Sequence, residues 1–292
     1  MLTIAKEYVT SHCDKENKPV AFCYSGETVR FETRDCYDDR LHRDGSEDHP
    51  ETAIENPATG PLFIEEAEPG DILKIEILEI DVAPTGLMRT SLVGGAYKAL
   101  ARERETRQFE VMNRKIQFTD SIVLDVDPMI GVIGTAPKGE AVPNITPGRH
   151  GGNMDCRKIQ AGTILYLPVE VQGGLLVIGD LHGLMGDGES LICGLEMAGA
   201  VTVRVTVLKD AVCPVPFLET PSDYITIQSA ETFEEAAELA ANAMHQYIRD
   251  KYHLNIRDAG MLLSLKGNLI ICQMVNPFVT VRMEISKAVF QR

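Results

Sequence analysis

Residues able to do chemistry crowd into one stretch of this chain, between positions 147 and 196. Gly179-Asp180-Leu181-His182-Gly183 follows directly on the apolar run Gly174-Leu175-Leu176-Val177-Ile178. If that run is a strand that continues through His182, its period of two places the Asp180 and His182 side chains on one face, with Leu181 anchored on the other. A carboxylate oxygen and an imidazole nitrogen can then converge on one divalent ion. The bland alternative is a turn capped by Asp180 with His182 as its partner, since Asp-x-His is short enough to arise by chance.

The surrounding residues add to the metal reading. Glycines at 179, 183, 186 and 188 keep bulk away from the polar groups, and Asp187 and Glu189 supply further carboxylates. Acids this close repel one another unless they are solvated or share a cation, so an exposed acidic loop is the competing explanation. Upstream, His150 and Asp155 flank Gly151-Gly152, a candidate tight turn whose N–H groups face an anion or oxyanion. A plain turn capped by Asn153 fits the same residues. Glu32 and Asp35 mark the end of an early strand, from which Asp35 can reach the same cleft; a solvated strand end is the default. His42 and His49 read as surface residues, and His12, His245 and His253 have no supporting constellation. Cys156 precedes Arg157 and Lys158, charges that favour a thiolate, and Cys193 follows the glycine-rich loop. Neither sits in a nucleophile motif, and there is no Gly-x-Ser-x-Gly elbow.

These residues need elements to hold them, and the first two thirds of the chain read as strands. Thr28–Thr33 alternates, with Val29, Phe31 and Thr33 on one face and Arg30 and Glu32 on the other. A second unit follows Pro69-Gly70-Asp71 through Ile72–Leu78. Arg107–Val111 and Lys115–Thr119 form a hairpin around Asn113, followed by Ile122–Val126. Pro128–Gly148, rich in glycine and proline, reads as an ordered loop on an irregular path. Helical periodicity appears late. Thr232 with Glu235 makes a capping box, and Ala236, Leu239, Ala240, Ala243, Met244, Tyr247 and Ile248 form one apolar face ending near Lys251. Asn255 with Asp258 opens a second helix that stops at Gly267, and Leu269–Val275 and Val279–Ile285 are closing strands separated at Pro277. The expected fold is mainly β, a sandwich or barrel-like core with a smaller α+β C-terminal portion. The chain divides into a mainly β part, 1–130, and a part carrying the metal-site segment and the helices, 131–292.

The 292 residues carry 28 Lys+Arg against 43 Asp+Glu, a formal charge of −15. That field repels a phosphate backbone, and no basic cluster interrupts it, so nucleic acid is not an expected partner. Nor is a membrane, because the apolar runs fall short of the ~20 residues needed to span a bilayer. Seven scattered cysteines without C-x-x-C spacing argue for reduced thiols in the cytoplasm and against both a disulfide scaffold and a cysteine-rich zinc site. No basic stretch followed by an apolar one opens the sequence, so no leader is expected.

Read in order, several segments resemble the acetamidase/formamidase family, specifically its short bacterial branch. They are Phe31-Glu32-Thr33-x-Asp35, Asn56-Pro57-Ala58-Thr59-Gly60-Pro61, Glu68-Pro69-Gly70-Asp71, Gly131–Pro137, His150-Gly151-Gly152-Asn153-Met154-Asp155, and Gly179-Asp180-x-His182 with Gly186-Asp187-Gly188-Glu189. The family often carries Ala and Gln where this chain has Gly183-Leu184-Met185. The resemblance implies hydrolysis of a linear amide to ammonia and a short carboxylate, by a homodimer. In the metal reading, Asp180 and His182, with Asp155 and with Asp35 or His150, hold one or two divalent ions. Zn²⁺ suits the mixed ligands, and Ca²⁺ suits the excess of oxygens. Glu189, or alternatively Glu32, accepts the proton of water. Three alternatives stand beside this: a metal-dependent hydrolase of another C–N bond such as a cyclic amide, a non-enzymatic β module stabilised by Ca²⁺, and a thiol-dependent amidase.

Overall fold

The computed structural model describes residues 1–291. Apolar alternation produces two large sheets packed face to face. The first has nine strands, in the order Leu2–Ile4, Thr28–Thr33, Gly199–Leu208, Ile72–Val82, Ile164–Pro168, Phe217–Glu219, Asp223–Ala230, Val279–Ser286 and Gly267–Gln273. The second has eleven. Its main path runs Ile122–Asp125, Lys115–Thr119, Thr106–Met112, Thr85–Arg89, Glu196–Met197, Leu176–His182, Met129–Gly134 and Gly151–Asn153. Ala58–Ile64 pairs with Leu176–His182 and joins two short strands to the sheet. Each sheet draws strands from both sides of residue 130.

The inner faces share one core. Val29, Phe31, Leu73, Ile75, Leu165 and Val201 of the first sheet pack with Leu62, Ile64, Ile130, Ile133, Ile178 and Leu181 of the second. Such a sandwich buries one side of every alternating strand. The early strand behaves as its alternation demands, with Val29, Phe31 and Thr33 buried and Arg30 and Glu32 half-buried.

The helices cover the far end of the nine-stranded sheet. Phe233–Tyr252 starts where Thr232 accepts a hydrogen bond from the Glu235 N–H, and Ile256–Lys266 starts where Asn255 accepts one from Asp258. Ala236, Ala240, Met244 and Ile248 are buried against Phe217, Tyr224 and Val281. Leu239, expected on that face, is 43% exposed. The final strands separate at 274–278, as Pro277 requires.

A larger expectation fails at 128–148. The loop expected at 128–148 contains Met129–Gly134, a wholly buried strand in the second sheet that pairs with both Leu176–His182 and Gly151–Asn153. Its glycines serve close packing. A Cβ at Gly131 would lie 2.6 Å from Asp180 Oδ2 and 2.7 Å from Asp155 Oδ1. The glycine that reads as a strand breaker leaves room for two carboxylates.

Candidate functional site

Three strands of the second sheet, two of them adjacent and the third one strand further on, and two connecting segments bring the ionisable groups together. Asp180 and His182 end Leu176–His182, Glu196 opens the next strand, and Asp155 follows Gly151–Asn153. Glu189 comes from the loop after His182. The Asp180–His182 convergence occurs, but not through a regular strand. Asp180 has φ +54°, in the left-handed region, and the ladder to Met129–Gly134 skips the Gly131/Asp180 pair. Asp155 (φ +43°) and Glu189 (φ +45°) are left-handed too. Non-glycine residues adopt this conformation at a cost, and such residues cluster at functional sites.

The imidazole lies at the centre. His182 Nε2 is 3.2 Å from Glu196 Oε2, 3.4 Å from Asp180 Oδ1 and 3.9 Å from Asp155 Oδ1. All four side chains are 2% exposed or less. Ligand atoms of Asp155, His182 and Glu189 lie within 4.8 Å of one another, as do those of Cys36, Asp180 and Glu196. Each carboxylate has one buried oxygen without a hydrogen-bond partner: Asp155 Oδ1, Asp180 Oδ1, Glu189 Oε2 and Glu196 Oε2. Buried acceptors are nearly always satisfied, so four orphaned oxygens around one imidazole mark a place built for a positive charge.

The electrostatics say the same. Burial, with Asp180 beside it, pushes the Asp155 carboxyl up to about 7. Burial and then Asp155 push Glu189 well above the carboxylate range, and burial raises Glu196. Burial opposes a charged imidazole, yet the Glu196 and Asp180 carboxylates override it and hold His182 well above its ordinary value. The unmet need is for cations.

Two amides steady the acids. Asn276 Nδ2 donates to Asp155 Oδ2 at 2.7 Å and to Asn153 O at 3.0 Å; Asn56 Nδ2 donates to Asp180 Oδ2 at 2.8 Å. Above the cluster opens a cavity of about 500 Å³ lined by Cys36, Tyr37, Asp180, His182, Glu189 and Glu196, among others.

Of the residues singled out in the sequence, Asp155, Asp180, His182 and Glu189 meet; Asp35, His150 and Glu32 stand outside the two clusters. Asp35 Oδ1 accepts the N–H groups of Tyr37 and Asp39 at 3.0 and 2.8 Å, bracing the turn that presents Cys36. Burial pushes its carboxyl up to about 7. His150 is buried against its own turn, with Nε2 unpartnered and its pKa lowered by burial to about 4. Glu32 lies on the half-buried outer face of its strand. The Gly151 N–H donates to Gly148 O, so it is not a free oxyanion donor.

Asp187 leaves the cluster as well. It receives both Nη atoms of the buried Arg282 at 2.5 and 3.0 Å, fastening the glycine-rich loop to the last strand. Met185 is buried beside a separate, mostly apolar cavity with Met88, Phe118 and Leu124. Cys156 is fully buried; burial opposes ionisation, but Cys272 and Arg282 hold its thiol below the usual range, a role the sequence assigned to Arg157 and Lys158. Glu196, Cys36, Asn56 and Asn276 belong to the site and were not singled out. Glu196 sits at the edge of the dense polar stretch, and Asn56 lies in one of the family-like segments. Asn276 reads only as a turn residue.

The two-sheet fold and the buried acid–imidazole cluster beneath a pocket define an enzyme-like β-sandwich with a candidate cation centre. The acetamidase/formamidase family model matches residues 11–144 and 138–235, and the chain belongs to that family. It superposes on the crystal structure of an acetamidase from Bacillus halodurans with a TM-score of 0.96 and 44% identity, covering 99% of both chains. It is 36% identical over 106 residues to a formamidase from Methylophilus methylotrophus, a match spanning 32% of this chain and 26% of that one. It is 26% identical over 215 residues to an acetamidase from Mycolicibacterium smegmatis, spanning 52% and 53% of the two chains. The chain thus aligns with between about a quarter and a half of the length of these two relatives.

Proposed function

We propose that this protein is a metal-dependent amidohydrolase that cleaves a small linear amide to ammonia and a carboxylate. The observation that carries this reading is the set of four buried, unpartnered carboxylate oxygens around His182 at the base of an open cavity. Family membership supports the reaction class.

The donor set suits a divalent cation. Asp155 and His182 would hold it, with Asp180 at their side, and the mixture of oxygen and nitrogen donors suits Zn²⁺; the further oxygens of Glu196 and Asp180 leave room for a second ion. When bound, such an ion supplies Lewis acidity for the amide carbonyl and acidifies water. The protein's own residues do the rest. Asn276 and Asn56 each hold one carboxylate oxygen and leave the other turned inward. Glu189, buried at the cavity wall and raised in pKa, accepts the proton of the attacking water at a carboxylate oxygen and returns it to the departing amine. Arg282, through Asp187, fixes the loop that carries Glu189.

A cavity of about 500 Å³ exceeds what formamide or acetamide fills, which favours keeping larger and cyclic amides as a second reading. The thiol-dependent route has less support: Cys156 is sealed from solvent, and burial pushes Cys193 up to about 12. We further propose a cytoplasmic protein, from its scattered cysteines, and a homodimer, as the family resemblance implies. Seven free thiols support a reducing compartment, and among the described residues no helix is long and apolar enough to cross a membrane.

Ammonia release measured across formamide, acetamide and longer or cyclic amides, before and after chelation and metal readdition, tests the proposal. Turnover that survives complete metal removal would overturn it.

A further inference from the structure

The second group of ligand atoms contains a sulfur. Cys36 Sγ, an Asp180 oxygen and a Glu196 oxygen lie within 4.8 Å of one another, next to the group formed by Asp155, His182 and Glu189. Cys36 is half-buried and lines the main cavity, so an ion or a reagent can reach it from solvent. Asp180 and Glu196 are 1% and 2% exposed, and Asp180 Oδ1 and Glu196 Oε2 have no hydrogen-bond partner. Among the described residues the Cys36 thiol makes no hydrogen bond either. Its backbone, by contrast, is held: Cys36 O accepts from the Asn56 N–H at 3.1 Å, and Asp35 ties the 35–39 turn. Asn56 also donates to Asp180 Oδ2. One asparagine therefore positions both the sulfur-bearing turn and the carboxylate it faces.

We propose that Cys36, Asp180 and Glu196 form a second cation site, distinct in ligand chemistry from the Asp155–His182–Glu189 group and selective for a thiophilic divalent ion. The physical reason is ligand softness. A thiolate with two carboxylates favours Zn²⁺, Co²⁺ or Cd²⁺ over Ca²⁺ and Mg²⁺, which take oxygen ligands. Binding breaks the S–H bond, releases its proton to solvent and forms a metal–sulfur bond, with no change of oxidation state. The centre then has two unlike halves, one with nitrogen and oxygen ligands and one with sulfur and oxygen ligands. His182 Nε2 lies 3.4 Å from Asp180 Oδ1, so the two halves adjoin. This inference rests on reading the buried acids as cation ligands and adds a ligand, a stoichiometry and a metal preference.

The test uses the full chain stripped of metal and titrated with Co²⁺, then with Zn²⁺ in equilibrium dialysis. The expected result is two ions per chain, with a thiolate-to-cobalt charge-transfer band in the near ultraviolet appearing as one of the two sites fills. Cys36→Ser should lose the band and bind one ion, whereas Cys193→Ser should keep both. Alkylation of Cys36, read by mass spectrometry of its peptide, should be slowed by Zn²⁺ but not by Mg²⁺; this needs no variant and stands even if Cys36→Ser misfolds. Cobalt binding without a thiolate band, or a band that survives in Cys36→Ser, would overturn the second site and leave the proposed activity intact. Failure to bind either metal would overturn both.

Discussion

Asn276 donates its side-chain amide to Asp155 Oδ2 at 2.7 Å, joining the turn before the last strand to a residue 121 positions earlier in the chain. The turn itself is held by Gln273, whose Oε1 accepts the N–H groups of Val275 and Asn276 at 2.8 and 3.0 Å. The C-terminal hairpin thus closes one side of a site whose acids come from the other sheet. Groups that orient ligating carboxylates typically change metal affinity or activity about 10–100-fold when removed. Asn276→Ala should weaken Zn²⁺ binding by that amount in a chelator competition. Asn276→Asp keeps the shape but loses the donor and adds a charge, so it should be no better. Parental Zn²⁺ affinity in Asn276→Asp would reduce Asn276 to a turn residue.

His182 is the only histidine in either ligand group. Its replacement by alanine leaves four buried acids with no imidazole among them, which removes both a ligand and the nearest positive charge. His182→Ala should lower Zn²⁺ affinity at the Asp155–His182 site and amide turnover together, each by about 100-fold or more, beyond the usual loss of an outer orienting group, while the Cys36 site keeps its ion. Full metal content with parental turnover would exclude the imidazole from the cation site.

Glu189 makes a different prediction, because its proposed task is proton transfer. Gln keeps the shape and one acceptor oxygen but cannot take a proton. Glu189→Gln should retain most metal while kcat falls roughly 10²–10⁴-fold, the usual contribution of a positioned acid–base group. Metal loss in step with turnover would make Glu189 a ligand instead.

What could be read from the sequence follows the range of the interactions. Asp180-x-His182 was legible because both residues belong to one strand end, and the helix caps at Thr232 and Asn255 because capping is local. Glu196 and Cys36 were not legible as partners. Their meeting depends on which strands and turns lie side by side, and no local pattern records that. Asp35 was legible as an acid near the site, yet its Oδ1 accepts two backbone N–H groups of its own turn, and its neighbour Cys36 enters the cluster. The strand Met129–Gly134 carries the glycines of a loop signal, yet in the fold those glycines meet the needs of neighbouring residues.

Gly131 turns that last point into a measurement. An alanine Cβ there would crowd Asp180 Oδ2 and Asp155 Oδ1 at 2.6 and 2.7 Å. Overpacking typically costs about 1–3 kcal/mol, and here the groups that must move are the candidate ligands. Gly131→Ala should lower cation affinity at least as much as it lowers stability, as judged by Zn²⁺ titration beside urea unfolding. A stability loss with unchanged affinity would separate Gly131 from the site.

The pH dependence of the metal-free protein follows from Asp155. Its carboxyl is raised to about 7 in the fold, from an ordinary value of 3.8. The folded state therefore holds this proton more tightly than the unfolded chain does. Its contribution to stability is fully present below the unfolded pKa and is lost as pH rises through the folded value. Asp35, raised to about 7 by burial, acts in the same direction. Stripped of metal, the protein should lose stability between about pH 4 and pH 7 in urea titrations. A bound divalent ion favours the ionised carboxylates, so the stabilisation gained on adding Zn²⁺ should grow over the same interval. Asp155→Asn removes one titrating group and should make the metal-free profile shallower, leaving the slopes from Asp35, Glu189 and Glu196 less the opposite slope from His150, which burial holds neutral. A metal-free protein whose stability rises steadily from pH 4 to pH 7 would show that these buried acids are not protonated in the fold, and that another charge neutralises them.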